Sequence, residues 1–183
     1  MKPVKGYNDA QASEGFERLP AGGYVIKITG VKNDEEKKYL KIVYDIAEGP
    51  ERGRYKNEEP KNDFRHSFIR SYKETALGMF KAFIIAVDGA NETNFNESIE
   101  KGFDETKLVG KLLGVLFGYE EYEANDGNIK ERLYLAKFLN IEQVRAGDFR
   151  IPELKKLAGS ESVKPTSAPP AGFTPLNDAD VPF

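Results

Sequence analysis

The 183-residue sequence predicts a mainly β fold, with five strands, one helix between the third and fourth strands, and a disordered C-terminal tail. Three observations lead to this prediction. Several short segments alternate apolar and polar residues, which is the period of a half-buried strand. One longer segment has apolar residues at helical spacing instead. From Gly159 the composition shifts to Ser, Pro, Ala and Gly, which cannot bury enough apolar surface to offset chain entropy.

The first three strands are predicted before residue 70. The first starts at Gly22 and is joined by a charged turn over 33–37 to a second strand, in which apolar residues occupy alternate positions. The core-facing residues of that second strand are Leu40, Ile42, Tyr44 and Ile46. A Gly- and Pro-punctuated charged loop over 48–63 follows, and then a short third strand over 64–69.

The helix is predicted over 72–87. Ser71 and Glu74 have the spacing of a capping box, and Asp88-Gly89 has the composition of a helix end. Apolar residues recur along it at helical spacing, namely Leu77, Phe80, Phe83, Ile84 and Val87. A short helical turn over 104–109 precedes the next strand.

The last two strands, 112–122 and 129–139, form a hairpin that turns at Asp126-Gly127. Alternation in the return strand places one set of side chains towards the core, comprising Leu133, Leu135 and Leu139. The opposite set comprises Lys130, Arg132, Tyr134 and Phe138. Two hairpins with a helix between the third and fourth strands is the order of an OB-like barrel. The expected organisation is an arm (1–20), an OB domain (21–158), a linker (159–176) and an acidic tail (177–183).

Composition excludes several function classes. The chain has no cysteine, one histidine and no phosphate-cradling G-x-x-x-x-G-K loop, so thiolate chemistry and ATP-driven motors are excluded. No apolar run approaches 18 residues and the N-terminus lacks a secretory pattern, which predicts a protein of the host cytoplasm without membrane contact. We expect no enzyme activity, cofactor or metal. A minor alternative is a two-metal nuclease built from Asp88, Glu105 and Lys107.

The net charge of −3 at pH 7 is unusual for a nucleic-acid binder. The segment from residue 159 onward contributes −2 of it, so the body is close to neutral at −1. Any binding surface must therefore be a local patch.

Cations interleaved with aromatic rings suit single-stranded nucleic acid, because cations meet phosphates and rings stack on bases. The last hairpin has this pattern, and two earlier strands have weaker versions of it. The predicted DNA-binding residues are Tyr39, Lys41, Arg65, Arg70, Tyr119, Tyr122, Lys130, Arg132 and Tyr134. A further basic cluster, Arg52, Arg54 and Lys56, lies among glutamates and is interpreted as a solvated loop. His66 is interpreted as a structural histidine.

The chain ends in Asn-Asp-Ala-Asp-Val-Pro-Phe. Carboxylates beside a terminal aromatic residue suit an apolar pocket with a basic rim. This ending resembles the tip of bacterial single-stranded DNA-binding proteins, which typically end Asp-Asp-Asp-Ile-Pro-Phe, although Ala179 removes one carboxylate. The predicted partner-binding residues are Asp178, Asp180, Val181, Pro182 and Phe183.

The body also resembles a family of small proteins from phages of Gram-positive hosts, usually described as single-stranded DNA-binding or recombination proteins. The matching stretches are LPAGGYVIKITGV at 19–31, GRY at 53–55 and VRAGDFRIPELKKL at 144–157. The resemblance implies an OB-like fold and a role in phage DNA replication or recombination.

Together these features predict a protein that binds single-stranded DNA without strong sequence preference and recruits replication and recombination proteins through its tail. The alternative is a recombination mediator or replisome adaptor whose β-domain binds mainly protein. The oligomeric state stays open, since OB-type binders often pair subunits.

Overall fold

The structure, a computed structural model, describes residues 18–157. Its strands are β1 (Gly22–Asp34), β2 (Tyr39–Ile46), β3 (Ser67–Ser71), β4 (Leu112–Glu123) and β5 (Ile129–Leu139). Its α-helices are α1 (Leu77–Asn91), α2 (Phe95–Ser98) and α3 (Ile141–Ala146). Short 3₁₀ helices occupy Pro60–His66, Glu74–Ala76, Ile99–Lys101 and Glu105–Leu108. Within the described range, every helix is too short or too polar to cross a membrane.

The five strands form one antiparallel sheet in the order β3-β2-β1-β4-β5, with α1 between β3 and β4 in the chain. This confirms the predicted fold class and the predicted position of the helix. The sheet is not closed, because β3 and β5 are its two edges and are not hydrogen-bonded neighbours. Side chains span the open seam instead: the rings of Phe68 and Phe138 lie 6.4 Å apart, and the Arg70 guanidinium lies over both.

The core lies on one face of the sheet, called the inner face, where α1 packs against it. β2 shows the cause most clearly, because its alternation buries Leu40, Ile42, Tyr44 and Ile46 as predicted. Helix α1 contributes four buried residues at helical spacing, and they are Phe80, Phe83, Ile84 and Val87. Fully burying side chains of this size stabilises the fold by about 1.5–3 kcal/mol each. The remaining, outer face of the sheet is the one available for other roles.

A bulge in β5 corrects the predicted face of Phe138. Leu116 pairs with Lys137 and Phe117 pairs with Leu135, so Ala136 is an extra residue in β5. One inserted residue reverses the alternation beyond it. Phe138 therefore lies on the inner face against Phe83, at a ring distance of 5.8 Å, and not beside Tyr134 as expected.

The helix begins and ends later than predicted. Ser71 is the last residue of β3, and its Oγ accepts from the Lys73 N–H rather than capping a helix. At the other end Gly89 lies inside α1. The Asn91 side chain donates to the Val87 carbonyl and exchanges hydrogen bonds with the backbone of Leu112. These contacts hold the last turn against β4, which explains why the helix continues past the Asp-Gly pair.

Helix α3 and the segment 148–157, called the strap below, were not predicted. Asn140 and Gln143 form a capping box that starts α3. The strap then crosses the outer face of β1 and β4, where two glycines allow close approach. A Cβ at Gly23 would lie 2.5 Å from the Phe149 ring, and one at Gly118 would lie 3.2 Å from Pro152. The strap ends beside β4, where the Lys155 N–H donates to the Tyr119 carbonyl at 3.0 Å.

Candidate nucleic-acid interface

The β4–β5 hairpin brings four of the predicted residues together on one surface. Register pairs Tyr122 with Lys130, Glu120 with Arg132, and Gly118 with Tyr134. These residues alternate with Leu133 and Leu135, which pack against the core, so they project from the outer face. We call Tyr122, Lys130, Arg132 and Tyr134 the hairpin face.

The cations of the hairpin face already have carboxylate partners. Arg132 Nε donates to Glu120 at 2.8 Å, and the Lys130 ammonium lies 2.7 Å from Asp126. Glu120 also meets Lys155 of the strap at 3.6 Å. Phosphates would have to compete with these carboxylates, which reduces the electrostatic attraction that the hairpin face can offer.

The tyrosine rings of the hairpin face are also in contact with the protein. The Arg132 guanidinium lies 5.1 Å from the centre of the Tyr122 ring, and the Lys155 ammonium lies 5.8 Å from that of Tyr134. Tyr134 lies across Gly118 beside Pro152. Each ring is thus half-buried and held in place, as a pre-organised stacking platform would be.

Tyr119 lies apart from the hairpin face. Its position in β4 alternates with that of Tyr122 on the other side, and it pairs with the inward-facing Leu133. Its hydroxyl donates to the Leu19 carbonyl at 2.7 Å. This bond ties the start of the described chain to β4, so Tyr119 has a structural contact of its own.

The remaining predicted residues are divided between two places. On β2, Tyr39 and Lys41 project from the outer face, where the Lys41 ammonium contacts the Asp63 carboxylate. Arg65 lies in the 3₁₀ helix before β3, 3.5 Å from Glu58 and over the Phe64 ring. Hydrogen bonding by Lys41 holds the pKa of Asp63 below its usual value, so this ion pair is formed at neutral pH.

Arg70 is separated from the other predicted residues. It is on the inner face of β3 with only 9% of its surface exposed, and its guanidinium lies 4.8 Å from the Phe68 ring and 5.0 Å from the Phe138 ring. Burial lowers its pKa to about 10, and its Nε has no hydrogen-bond partner in the described structure. Its position at the seam between the sheet edges supports a role in holding β3 against β5.

A groove that the sequence did not predict crosses the outer face of β1 and β2. It encloses about 750 Å³ between the strands, the loop after β2 and the turn before β4. Three exposed cations line it, and they are Lys27, Arg52 and Lys56. None of the three forms an ion pair with any residue between 18 and 157.

The two carboxylates in the groove are bound by protein groups. Glu48 receives two hydrogen bonds from Arg145, at 2.7 and 3.0 Å, and these hold its pKa below the usual value. Asp45 Oδ1 accepts from the backbone N–H groups of Ile46 and Tyr55. Within residues 18–157 the groove therefore combines three unpaired cations with one fully bound carboxylate, Glu48, and one partly bound carboxylate, Asp45, and this asymmetry favours an anionic ligand.

The signal for this groove was present in the sequence but was divided between two segments. Lys27 is an outward position of β1, whereas Arg52 and Lys56 belong to the loop after β2. Gly53, at a φ of 75°, turns that loop back, and its N–H donates to the Ile46 carbonyl. The neighbouring Arg54 contacts Glu51, so of the predicted basic cluster only Arg52 and Lys56 line the groove.

The carboxylate proposed for a nuclease site is engaged in a structural role. Asp88 accepts hydrogen bonds from the Thr93 hydroxyl and from the N–H groups of Phe95 and Asn96. These bonds fix the turn between α1 and α2. Among residues 18–157 there is no group of three or more His, Cys, Asp or Glu placed to hold a metal ion.

The partner-binding residues predicted at the C-terminus, Asp178, Asp180, Val181, Pro182 and Phe183, lie outside the described residues. The predicted linker and almost all of the N-terminal arm lie outside them as well.

Comparison with known proteins gives a family without an assigned function. No curated protein matches the chain. A family model described as a protein of unknown function, DUF669, matches residues 6–146, which is more than three quarters of the chain and includes β1–β5 and all three lining cations of the groove. The chain is therefore a member of the DUF669 family.

Proposed function

We propose that this protein binds single-stranded DNA without strong sequence preference during phage DNA replication or recombination, and recruits partner proteins through its C-terminal tip. The observation that carries the proposal is the groove of Lys27, Arg52 and Lys56, whose three cations lack carboxylate partners in the described structure. Phosphate neutralisation supplies most of the sequence-independent affinity for nucleic acid. Unpaired cations can supply it without first breaking an ion pair.

The hairpin face supports a second, weaker contact in this proposal. Its tyrosines offer rings for base stacking, which tolerates any base. Helix α3 and the strap lie over the outer face of β1 and β4, between the hairpin face and the groove. Arg145 of α3 binds Glu48 at the groove, and Pro152 of the strap lies against Gly118 beside the hairpin face. A strand that follows the outer face would pass α3 and the strap on its way from the phosphate-binding groove to the hairpin rings.

A replisome adaptor that binds mainly protein is the second candidate. The observation that favours it is the ion pairing of Lys41, Lys130 and Arg132, three of the cations predicted to bind DNA. If only the groove offered unpaired charge, DNA affinity would be low.

Fluorescence anisotropy with a labelled 30-base dT oligonucleotide and a duplex of the same length distinguishes the two candidates. We expect the single strand to bind more tightly than the duplex, and its affinity to fall linearly with salt on logarithmic axes. Absence of binding to either probe at about 50 mM salt, where phosphate contacts are strong, would reject the DNA-binding proposal and favour the adaptor.

A further inference from the structure

A second cavity adjoins the groove. It encloses about 390 Å³ between the outer face of β1 and β2 and the 3₁₀ helix Pro60–His66. It shares Thr29, Asp45 and Lys56 with the groove, so the two are continuous along the sheet. We call it the side cavity.

His66 lines the side cavity and is unusual there because it is a buried polar residue packed between aromatic rings. It is 94% buried, stacks on the Tyr55 ring at 4.6 Å and 12°, and meets the Tyr44 ring edge-on. Burial lowers its pKa, which leaves the imidazole neutral at pH 7 with one N–H donor and one acceptor nitrogen. Neither nitrogen is hydrogen-bonded to a residue in the described structure, and Nδ1 is wholly buried.

Buried polar groups of native proteins nearly always have a partner in protein, water or ligand. For packing alone, phenylalanine would serve as well as histidine, because its ring would stack on Tyr55 and leave no buried polar atom without a hydrogen bond. The side chain therefore points to a ligand or ordered solvent that supplies hydrogen bonds inside the side cavity.

The other charged groups around His66 decide what that ligand can be. Glu58, Glu59 and Asp63 line the side cavity, and each is paired, with Arg65, Lys61 and Lys41 respectively. Lys32 also meets Asp63, at 3.8 Å. Asp45 differs from these three, because both of its hydrogen bonds use Oδ1 and leave Oδ2 without a protein donor between residues 18 and 157.

We propose that the side cavity binds one amino-bearing base, adenine or cytosine, of a DNA strand whose phosphates lie in the groove. This inference rests on the proposed function and deepens it. An exocyclic amine is the natural donor to a carboxylate such as Asp45, and the ring nitrogen beside that amine accepts from the imidazole N–H. Thymine fits less well, because its one donor, the N3 imide N–H, lies between two carbonyl oxygens, so that donation to Asp45 sets a carbonyl oxygen against carboxylate oxygens.

The size and walls of the side cavity suit a flat heterocycle. Val43, Pro60, Tyr44 and Tyr55 give it apolar surface. His66 and Asp45 line it as well, beside the three paired carboxylates and two lysines. Binding sites for small ligands commonly combine apolar walls with a few converging polar groups. One such site adds a preference at a single position and leaves the rest of the strand read only by charge and stacking.

Oligonucleotides of twelve dT residues, with the central base replaced by dC or dA, test the proposal by anisotropy with the full chain. We expect dC and dA to bind about fivefold or more tightly than dT, the lower end of discrimination by a good base contact. His66→Phe keeps the stack on Tyr55, and Asp45→Asn keeps the Oδ1 acceptor for the backbone. Both should abolish the preference. His66→Phe should also leave dT binding unchanged, whereas Asp45→Asn, which removes a negative charge from the groove, should raise the affinity for all three oligonucleotides alike. Glu97→Gln on α2, far from the side cavity, should retain the preference.

His66 is the only histidine of the chain, so its ring ¹⁵N signals report the site without assignment. We expect them to shift when the dC or dA oligonucleotide is added and to stay unchanged with dT. Equal affinity for all three bases with unmoved ring signals would overturn the base pocket and leave single-stranded DNA binding intact. Failure of every oligonucleotide to bind would overturn the proposed function itself, and the base pocket with it.

Discussion

Neutralising the groove should remove a calculable part of the salt dependence of DNA binding. The triple variant Lys27→Gln, Arg52→Gln, Lys56→Gln deletes three cations that have no ion pair among residues 18–157, so it leaves no carboxylate newly unpaired. Each phosphate contact to a single strand contributes about −0.7 to the slope of log K against log salt. Three lost contacts should therefore make the slope shallower by about 2.

The consequence is large enough to measure. Over a fourfold rise in salt, from about 50 to 200 mM, a slope of about −2 corresponds to a roughly 16-fold loss of affinity. The unmodified protein should show this loss in addition to whatever loss the triple variant shows. Anisotropy of a labelled 30-base dT oligonucleotide at four salt concentrations gives both slopes.

A variant with the same change in net charge separates the groove from a general electrostatic effect. Lys73→Gln, Lys81→Gln, Lys101→Gln removes three other cations that form no ion pair within the described part of the chain, and these lie after β3, on α1 and beside α2. Its slope should stay close to that of the unmodified protein. If the two triple variants change the slope equally, the groove is not the phosphate-binding surface, and the cause is net charge alone.

Three further predictions concern the hairpin face, His66 and the tail. Tyr134→Ala should cost about 1–3 kcal/mol of single-strand binding, while Tyr134→Phe should cost little, since stacking needs only the ring; equal anisotropy curves for both would remove Tyr134 from the interface. Because burial lowers the pKa of His66 in the folded state, its contribution to stability is complete above the ordinary value of 6.5 and is lost as pH falls below it. Urea midpoints between pH 7.5 and 5.5 should therefore fall less in His66→Phe than in the unmodified protein, and parallel curves would contradict this. Deleting 177–183 should maintain or raise DNA affinity while abolishing capture of replication and recombination proteins. Phe183→Ala should abolish that capture without changing DNA affinity, and recovery of the same partners by all forms would refute a role for the tip.

Local pattern predicted most of the fold because each element is dominated by one periodicity. The strict alternation of β2 and the Asp-Gly turn before β5 need no distant partner to be recognised. Where the prediction failed, a tertiary contact decided the outcome. The end of α1 depends on Asn91 meeting the backbone of Leu112, and the face of Phe138 depends on a bulge that appears only when β5 pairs with β4.

The candidate site was harder to predict than the fold, because its binding capacity depends on which cations form ion pairs with carboxylates of the same protein. The sequence places Lys130 and Arg132 on one face, but it does not show that Asp126 and Glu120 already bind them. It likewise places Arg52 among glutamates without showing that Arg145, almost a hundred residues away, occupies Glu48. Residue type and spacing identify charges, whereas ligand binding depends on which charges remain unpaired after folding.

The same distinction explains how a chain of net charge −3 can carry a phosphate-binding surface. Electrostatic interactions between exposed groups decay within about 8–10 Å at physiological salt, so a strand in the groove is governed by its immediate neighbours and not by the total charge. Arg145 sits on α3 and neutralises Glu48 at the rim of the groove. Arg52 adds a smaller electrostatic contribution to the lowered pKa of Glu48 but forms no ion pair with a residue between 18 and 157, so it stays available for phosphate. Between residues 18 and 157, the ion pairs of Arg145 are with Glu48 and Glu142. Arg145→Gln should therefore weaken DNA binding although Arg145 does not line the groove, because the released Glu48 carboxylate would pair with Arg52 there.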